Sequence, residues 1–155
     1  MLRLPTPDTV TRLLSGLLGV KVGVVDNKVD DAKLVVCGVF ASAVHHEAAF
    51  CLLDIPFGAA AGAALSMMPA DVAKEYVKKG KLDEDIRDNC AEVLNVCSRL
   101  FTSSDAHRVT LTVKTFHPEP IPAEVKAALA GSQRLNLNLS VDRYGGGALV
   151  LIIPG

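Results

Sequence analysis

Residues 83–101 read DEDIRDNCAEVLNVCSRLF, and the fold reading turns on them. Stepped at about 100° per residue from Ile86, the side chains of Cys90, Val93, Cys97, Leu100 and Phe101 fall within roughly 60° of one direction. Asp88, Glu92, Asn95 and Arg99 fall on the opposite side. The pattern predicts an amphipathic helix. Asp83, Glu84 and Asp85 begin it, where the helix dipole favours negative charge. A helix with one apolar stripe needs a partner layer, so its neighbours decide the fold.

Those neighbours read mainly as strands. Residues 108–116 alternate Val109, Leu111 and Val113 with Thr110, Thr112 and Lys114, the pattern of a strand with one solvated side. Leu135, Leu137, Leu139 and Val141 alternate with polar residues, and Gly145-Gly146-Gly147 is expected to turn into a last strand over 148–153. A Pro-rich loop over 118–122 leads into a short helix over 123–130.

Upstream, residues 8–19 predict a helix with Leu13, Leu14, Leu17 and Leu18 on one stripe, followed by a short strand over 20–25. Residues 34–44 and 47–54 form an expected antiparallel hairpin joined by His45-His46. Pro56 suits the first turn of an Ala/Gly-rich helix that runs to Met68 and stops at Pro69. A short helix over 71–79 follows, ended by Gly80. The sum is α+β: an antiparallel β-sheet with helices packed on one face, in one domain spanning residues 1–155.

Composition bounds the function classes. Half of the 155 residues are hydrophobic, which is too apolar for a disordered chain. Sixteen basic residues balance seventeen acidic ones, so nothing points to nucleic acid or anionic lipid as partner. The longest apolar run, 55–68, is short of a membrane span and diluted by Gly58, Gly62 and Ser66. The first residues lack the pattern of a secretory signal, and a soluble cytoplasmic protein is expected. Cys37, Cys51, Cys90 and Cys97 sit among apolar neighbours without ligand spacing and read as buried structural thiols.

Several tempting features have plainer readings. Adjacent residues in a hairpin turn share no ligand geometry, so His45-His46-Glu47 is read as loop, not metal site. His107 and His117 flank a strand with no nucleophile to activate. The glycines of Gly58-Ala-Ala-Ala-Gly62 suit close helix packing within the protein.

The polar face of 83–101 carries the chemistry. Asp88, Glu92 and Asn95 stand at i, i+4 and i+7, in one line over two turns. A solvated face explains most such stripes, yet Asn is a poor helix former, and exposed positions more often hold Lys, Glu or Gln. Pro118 follows Asn95 after 22 intervening residues. Placing these residue types at random in a chain of this composition gives the whole pattern with a probability of about one in a thousand.

That pattern resembles the signature of the CheC/CheX phosphatases of bacterial chemotaxis: Asp or Ser, three residues, Glu, two residues, Asn, 22 residues, Pro. The resemblance implies the family's pseudo-repeat architecture and a hydrolase that removes phosphate from the aspartyl phosphate of a CheY-like response regulator in two-component signalling. By the same resemblance Asn95 orients the attacking water and Glu92 pairs with a lysine of the regulator. Asp88 and Pro118 shape the site. Mg²⁺ is supplied by the regulator, and no cofactor of the chain's own is expected. A homodimer is also implied.

The residue types suit that chemistry. Phosphoryl transfer through a loose transition state needs positioning and charge stabilisation more than a strong base. An amide donates and accepts, so it can hold a water and touch a phosphoryl oxygen together. Two departures bear on the reading. The first helix lacks Glu and Asn at matching spacing, so there is one motif, as in CheX. Arg99 stands where the family commonly has Gly, and could meet a phosphate or obstruct a close approach. The alternative is a non-catalytic adaptor of the same fold, docking on a receiver or flagellar-switch protein; a chance match on an unrelated α+β protein is the third reading.

Overall fold

The computed structural model describes residues 2–42, 47–103, 108–131 and 133–155. The hairpin turn read at His45-His46, and His107, lie outside the described residues. In chain order the elements are β1 (Leu2–Arg3), α1 (Pro7–Leu18), β2 (Val22–Val25), β3 (Leu34–Ala41), β4 (Ala48–Asp54), α2 (Ile55–Leu65), α3 (Ala70–Lys79), α4 (Glu84–Cys97), β5 (Thr102–Ser103), β6 (Thr110–Phe116), α5 (Ala123–Leu129), β7 (Gln133–Val141) and β8 (Gly145–Ile153). Short 3₁₀ turns cover Asp31–Lys33 and Ser98–Leu100.

Six strands pair antiparallel in the order β2-β7-β8-β4-β3-β6, and β1 pairs with β5 apart from them. The order reads the same from either edge. An edge strand is followed by the two hairpin strands of the other half, so β2 lies on β7 and β6 lies on β3. α1 precedes β2 as α4 precedes β6. This is a pseudo-repeat, with the first strand of each half exchanged across the sheet.

The helix ends follow the sequence. Thr6 caps α1 by accepting from the Thr9 amide, and Gly19 closes it at φ 71. Gly80 ends α3 in the same left-handed conformation. Asp54 caps α2, accepting from the Phe57 amide at 2.9 Å, with Pro56 in the first turn.

The core corrects one expectation. Helices cover both faces of the sheet, not one. β4 and β8 are apolar at nearly every position, so neither face can be left wet. Ala49, Cys51, Leu53, Leu149 and Leu151 face the layer built by α1, α2, α3 and α4. Phe50, Leu52, Val150 and Ile152 face the other way and are joined by Val125 and Ala128 of α5. The four cysteines are free and buried, as read from their neighbours.

A second correction concerns β6. Val39 pairs with Val113 but Phe40 pairs with Leu111, so Thr112 is an extra residue in a β-bulge. The alternation read across 108–116 therefore breaks. Val109 and Leu111 join the α4 side of the core, whereas Val113 turns to the opposite face and stays 45% exposed. Lys114, opposite Gly38, moves to the α4 side.

The glycine triplet is also reassigned. The turn is Asp142-Arg143-Tyr144, with Arg143 at φ 75, and Gly145 pairs with Val141 as the first residue of β8. Gly146 and Gly147 are strand residues. A Cβ on Gly146 would strike the Leu139–Ser140 backbone, and one on Gly147 would strike the Asp54 carboxylate and the Phe57 amide, 2.7 Å from the latter. Gly147 lets β8 pass directly under the capped end of α2, and Gly146 lets it lie close against β7.

Candidate functional site

α4 presents the candidate site because its inner face is fixed from two directions. Ile86, Cys90, Val93, Leu94 and Cys97 are buried. α2 beneath it is buried at nearly every position, and its glycines form two notches. A Cβ on Gly58 would stand 3.1 Å from Leu82 Cδ1, and one on Gly62 would stand 2.9 Å from Ile86 Cγ1. The GxxxG spacing thus serves helix-on-helix packing, α2 on α4. Burial pushes the Cys90 thiol up to about 12, and a hydrogen bond with Cys97 together with burial raises Cys51, so these thiols behave as apolar filling.

Polar contacts complete the fixing. Asn89 Nδ2 donates to the Gly62 carbonyl at 2.9 Å and to Ser66 Oγ at 2.7 Å, bolting α4 to the end of α2. Arg87 Nε donates to the Leu82 carbonyl at 2.7 Å, and its Nη2 reaches the His117 carbonyl at 3.3 Å. The Arg87 guanidinium also lies 5.9 Å from the centre of the Phe116 ring. It joins the start of α4 to the end of β6.

The outer face carries the motif. Asp88, Glu92 and Asn95 are all exposed on α4, in line, as the spacing requires. At about 1.5 Å rise per residue, Asp88 and Asn95 are roughly 10 Å apart along the axis. Arg99 is displaced from the expected position. The α-helix ends at Cys97, and Arg99 stands in the Ser98–Leu100 3₁₀ turn. The tighter winding carries it roughly 40° further round from Asn95 than a continuous α-helix would.

Pro118 is only partly gathered in. Arg87 holds the neighbouring His117 backbone against α4, one residue before Asp88. Pro118 itself lines a groove of about 330 Å³ with Leu34, Ile121, Lys126 and Leu129, toward α5 and away from the motif stripe. The stripe itself is a convex helix face.

Two residues of this region had escaped sequence reasoning. Arg87 and Asn89 flank Asp88, and each fixes α4 to a different neighbour. Asn89 carried the same signal as Asn95, a poor helix former in mid-helix, but its side chain is spent on α2. The signal marks a side chain with a task and does not say which task.

Neither a protein-family model nor a curated protein matches the chain. Solved structures do. The chain is similar to Thermotoga maritima FliY, with a TM-score of 0.54 and 11% identity over 96% of this chain and 89% of that one. It is similar to the H. pylori FliG–FliM complex structure, with a TM-score of 0.56 and 10% identity over 96% and 86%. The CheX–CheY–BeF3–Mg complex from Borrelia burgdorferi aligns at a TM-score of 0.43 and 18% identity, over 94% and 92%. At these identities the likeness is one of fold. The chain is an α+β protein whose fold is similar to that of FliY.

Proposed function

We propose that the chain is a response-regulator phosphatase, hydrolysing an aspartyl phosphate on a receiver domain brought against the outer face of α4. The observation that carries this reading is the joint exposure of Glu92 and Asn95 on one stripe of a helix immobilised from behind. In this reading the Asn95 amide accepts from a water and holds it in line with phosphorus. The water oxygen bonds to phosphorus, the bond from phosphorus to the aspartyl oxygen breaks, and inorganic phosphate leaves with a free carboxylate behind. Glu92 takes a cation of the partner in a charge-assisted contact, fixing the distance of approach. Mg²⁺ would be held by the partner, where it would supply charge neutralisation for the phosphoryl group. Asp88 adds negative charge beside Glu92, and Pro118 shapes the loop that Arg87 holds.

The test is a receiver domain phosphorylated with acetyl phosphate and followed by loss of label. The protein accelerates the loss, and Asn95→Ala removes the acceleration while leaving the fold intact. No acceleration across a panel of receivers would overturn the reading.

A second reading is an adaptor that docks without hydrolysis. It is favoured by Arg99, a long cation beyond Asn95, and by the similar fold found in a complex of FliG with FliM. Arg99→Gly separates the two: activity gained means an obstructed catalytic face, and unchanged binding without hydrolysis means an adaptor. Either reading suits a soluble protein of the cytoplasm, and no described helix is long and apolar enough to cross a membrane. A homodimer remains part of the proposal.

A further inference from the structure

The β-bulge at Thr112 places a cation beside the candidate site. Gly38 faces α4: a Cβ there would lie 3.3 Å from Leu94 Cδ2 and 3.1 Å from Leu111 Cδ1. Lys114 is the direct partner of Gly38 across the β3–β6 ladder, so its side chain leaves the sheet on the same face. β6 is an edge strand of the six-stranded sheet, with no described strand beyond it.

The position along α4 follows from two anchors. Phe116 lies against Arg87, near the start of the helix, and Leu111 shares the Gly38 notch with Leu94, near its end. Lys114 sits between them, beside the middle of α4. On the helical wheel Ala91 occupies the flank between the β6 side and Asn95, and its methyl leaves that flank low. A lysine stem is long enough to span it. Lys114 is exposed, and no ion pair joins it to another described residue. Without the bulge the strand's alternation would send Lys114 to the α5 face and set Val113 beside the helix.

We infer that Lys114 is a docking residue of this face, taking a carboxylate that the partner presents beside its phosphorylated aspartate. This rests on the reading that a phosphorylated receiver meets the outer face of α4. Asn95 then stands between Asp88 and Glu92 on one flank, with Arg99 beyond them at the helix end, and Lys114 on the other. A partner must present a cation to the first and an anion to the second, which allows one orientation and places its phosphoryl group over Asn95.

The experiment measures binding and hydrolysis together, with the intact chain and a receiver phosphorylated by acetyl phosphate. Lys114→Glu lowers kcat/KM roughly ten-fold at low ionic strength, Lys114→Ala lowers it less, and both losses shrink at high salt. The loss lies in KM and in the association rate, with kcat held within about two-fold; Lys114→Arg restores the native value. Lys126→Ala, in the groove toward α5, leaves all of these unchanged. Wild-type kinetics in Lys114→Glu, or a loss confined to kcat, overturns the inference and leaves the phosphatase reading standing. Binding that depends on Lys114 without hydrolysis overturns the phosphatase and keeps the docking role. A wild-type protein that neither binds nor dephosphorylates the receiver overturns both.

Discussion

Asn89 of α4 donates to the carbonyl of Gly62 in α2 across 2.9 Å, at a point where the two helices are too close for any side chain to stand between them. The same amide reaches Ser66 Oγ. A notch and a bolt thus coincide, and together they hold the outer face of α4 in place. Asn89→Ala should lower unfolding free energy by about 1 kcal/mol, read from a urea transition with unchanged slope. A fall in hydrolysis at temperatures where the variant is fully folded would show that the bolt also positions the face.

Gly62→Ala tests the notch. Its new methyl would meet Ile86 Cγ1 at 2.9 Å and the Ile86 carbonyl oxygen at 3.3 Å, and the backbone atom cannot rotate away. The expected cost is roughly 1–3 kcal/mol, despite the gain in helix propensity from Gly to Ala. Gly58→Ala, which meets the flexible end of Leu82, should cost less. Thermal melts of the two variants decide the order.

Asn95→Ala should behave in the opposite sense. The residue is exposed and makes no hydrogen bond to another described residue, so replacing it by the best helix former raises stability by about 0.5 kcal/mol. Phosphate release from the receiver falls roughly 100-fold, the scale seen when one well-placed polar group is removed from a transition state. Lost stability would mark Asn95 as a structural residue and weaken the proposed role.

Asp31 and Arg134 supply a pH test away from the site. The Arg134 guanidinium bonds both Asp31 oxygens, at 2.8 and 2.9 Å, and holds the Asp31 carboxyl below its ordinary value of 3.8. A depressed folded-state value means stability that is present above pH 3.8 and lost as pH falls through the lower folded-state value. Asp31→Asn should therefore be less stable than the parent at neutral pH. The gap should close on acidification, measured by denaturant titrations between pH 7 and 2. A gap that stays constant to pH 2 would mean the loss comes from geometry and not from charge.

Much of the fold was legible because its signals are local. The periodicity of Ile86, Cys90, Val93 and Cys97, the caps at Gly19 and Gly80, and the alternation in 135–141 each depend on a few neighbouring residues. What stayed hidden depends on contacts between distant segments. The bulge at Thr112 exists only relative to β3, and one extra residue inverts every side chain beyond it. Gly146 and Gly147 looked like a turn because their reason lies elsewhere, in the backbone of β7 and the cap of α2. Residues 83–101 read as one helix since nothing in the local pattern tells an α-helix from a closing 3₁₀ turn. Covering the second face required knowing that β4 and β8 are neighbours at the centre of the sheet.

The geometry of the candidate site was legible to a similar depth. Spacing alone aligned Asp88, Glu92 and Asn95 on a surface stripe, because a helix converts sequence intervals into angles. It gave no hint of Arg87, whose partners are a carbonyl and a ring thirty residues on, or of Lys114, whose face depends on the bulge.

α2 has almost no surface of its own. Its packing to α4 is settled largely by methyl groups and by bare backbone at Gly58 and Gly62, none of which can be read by a partner. A change to Glu92, Asn95 or Arg99 leaves that hidden joint untouched, and a change to Gly62 alters the joint without touching anything a partner sees. The molecule separates its foundation from its vocabulary. On the phosphatase reading proposed above, a few outward substitutions would turn a hydrolytic face into a purely adhesive one, with no refolding in between.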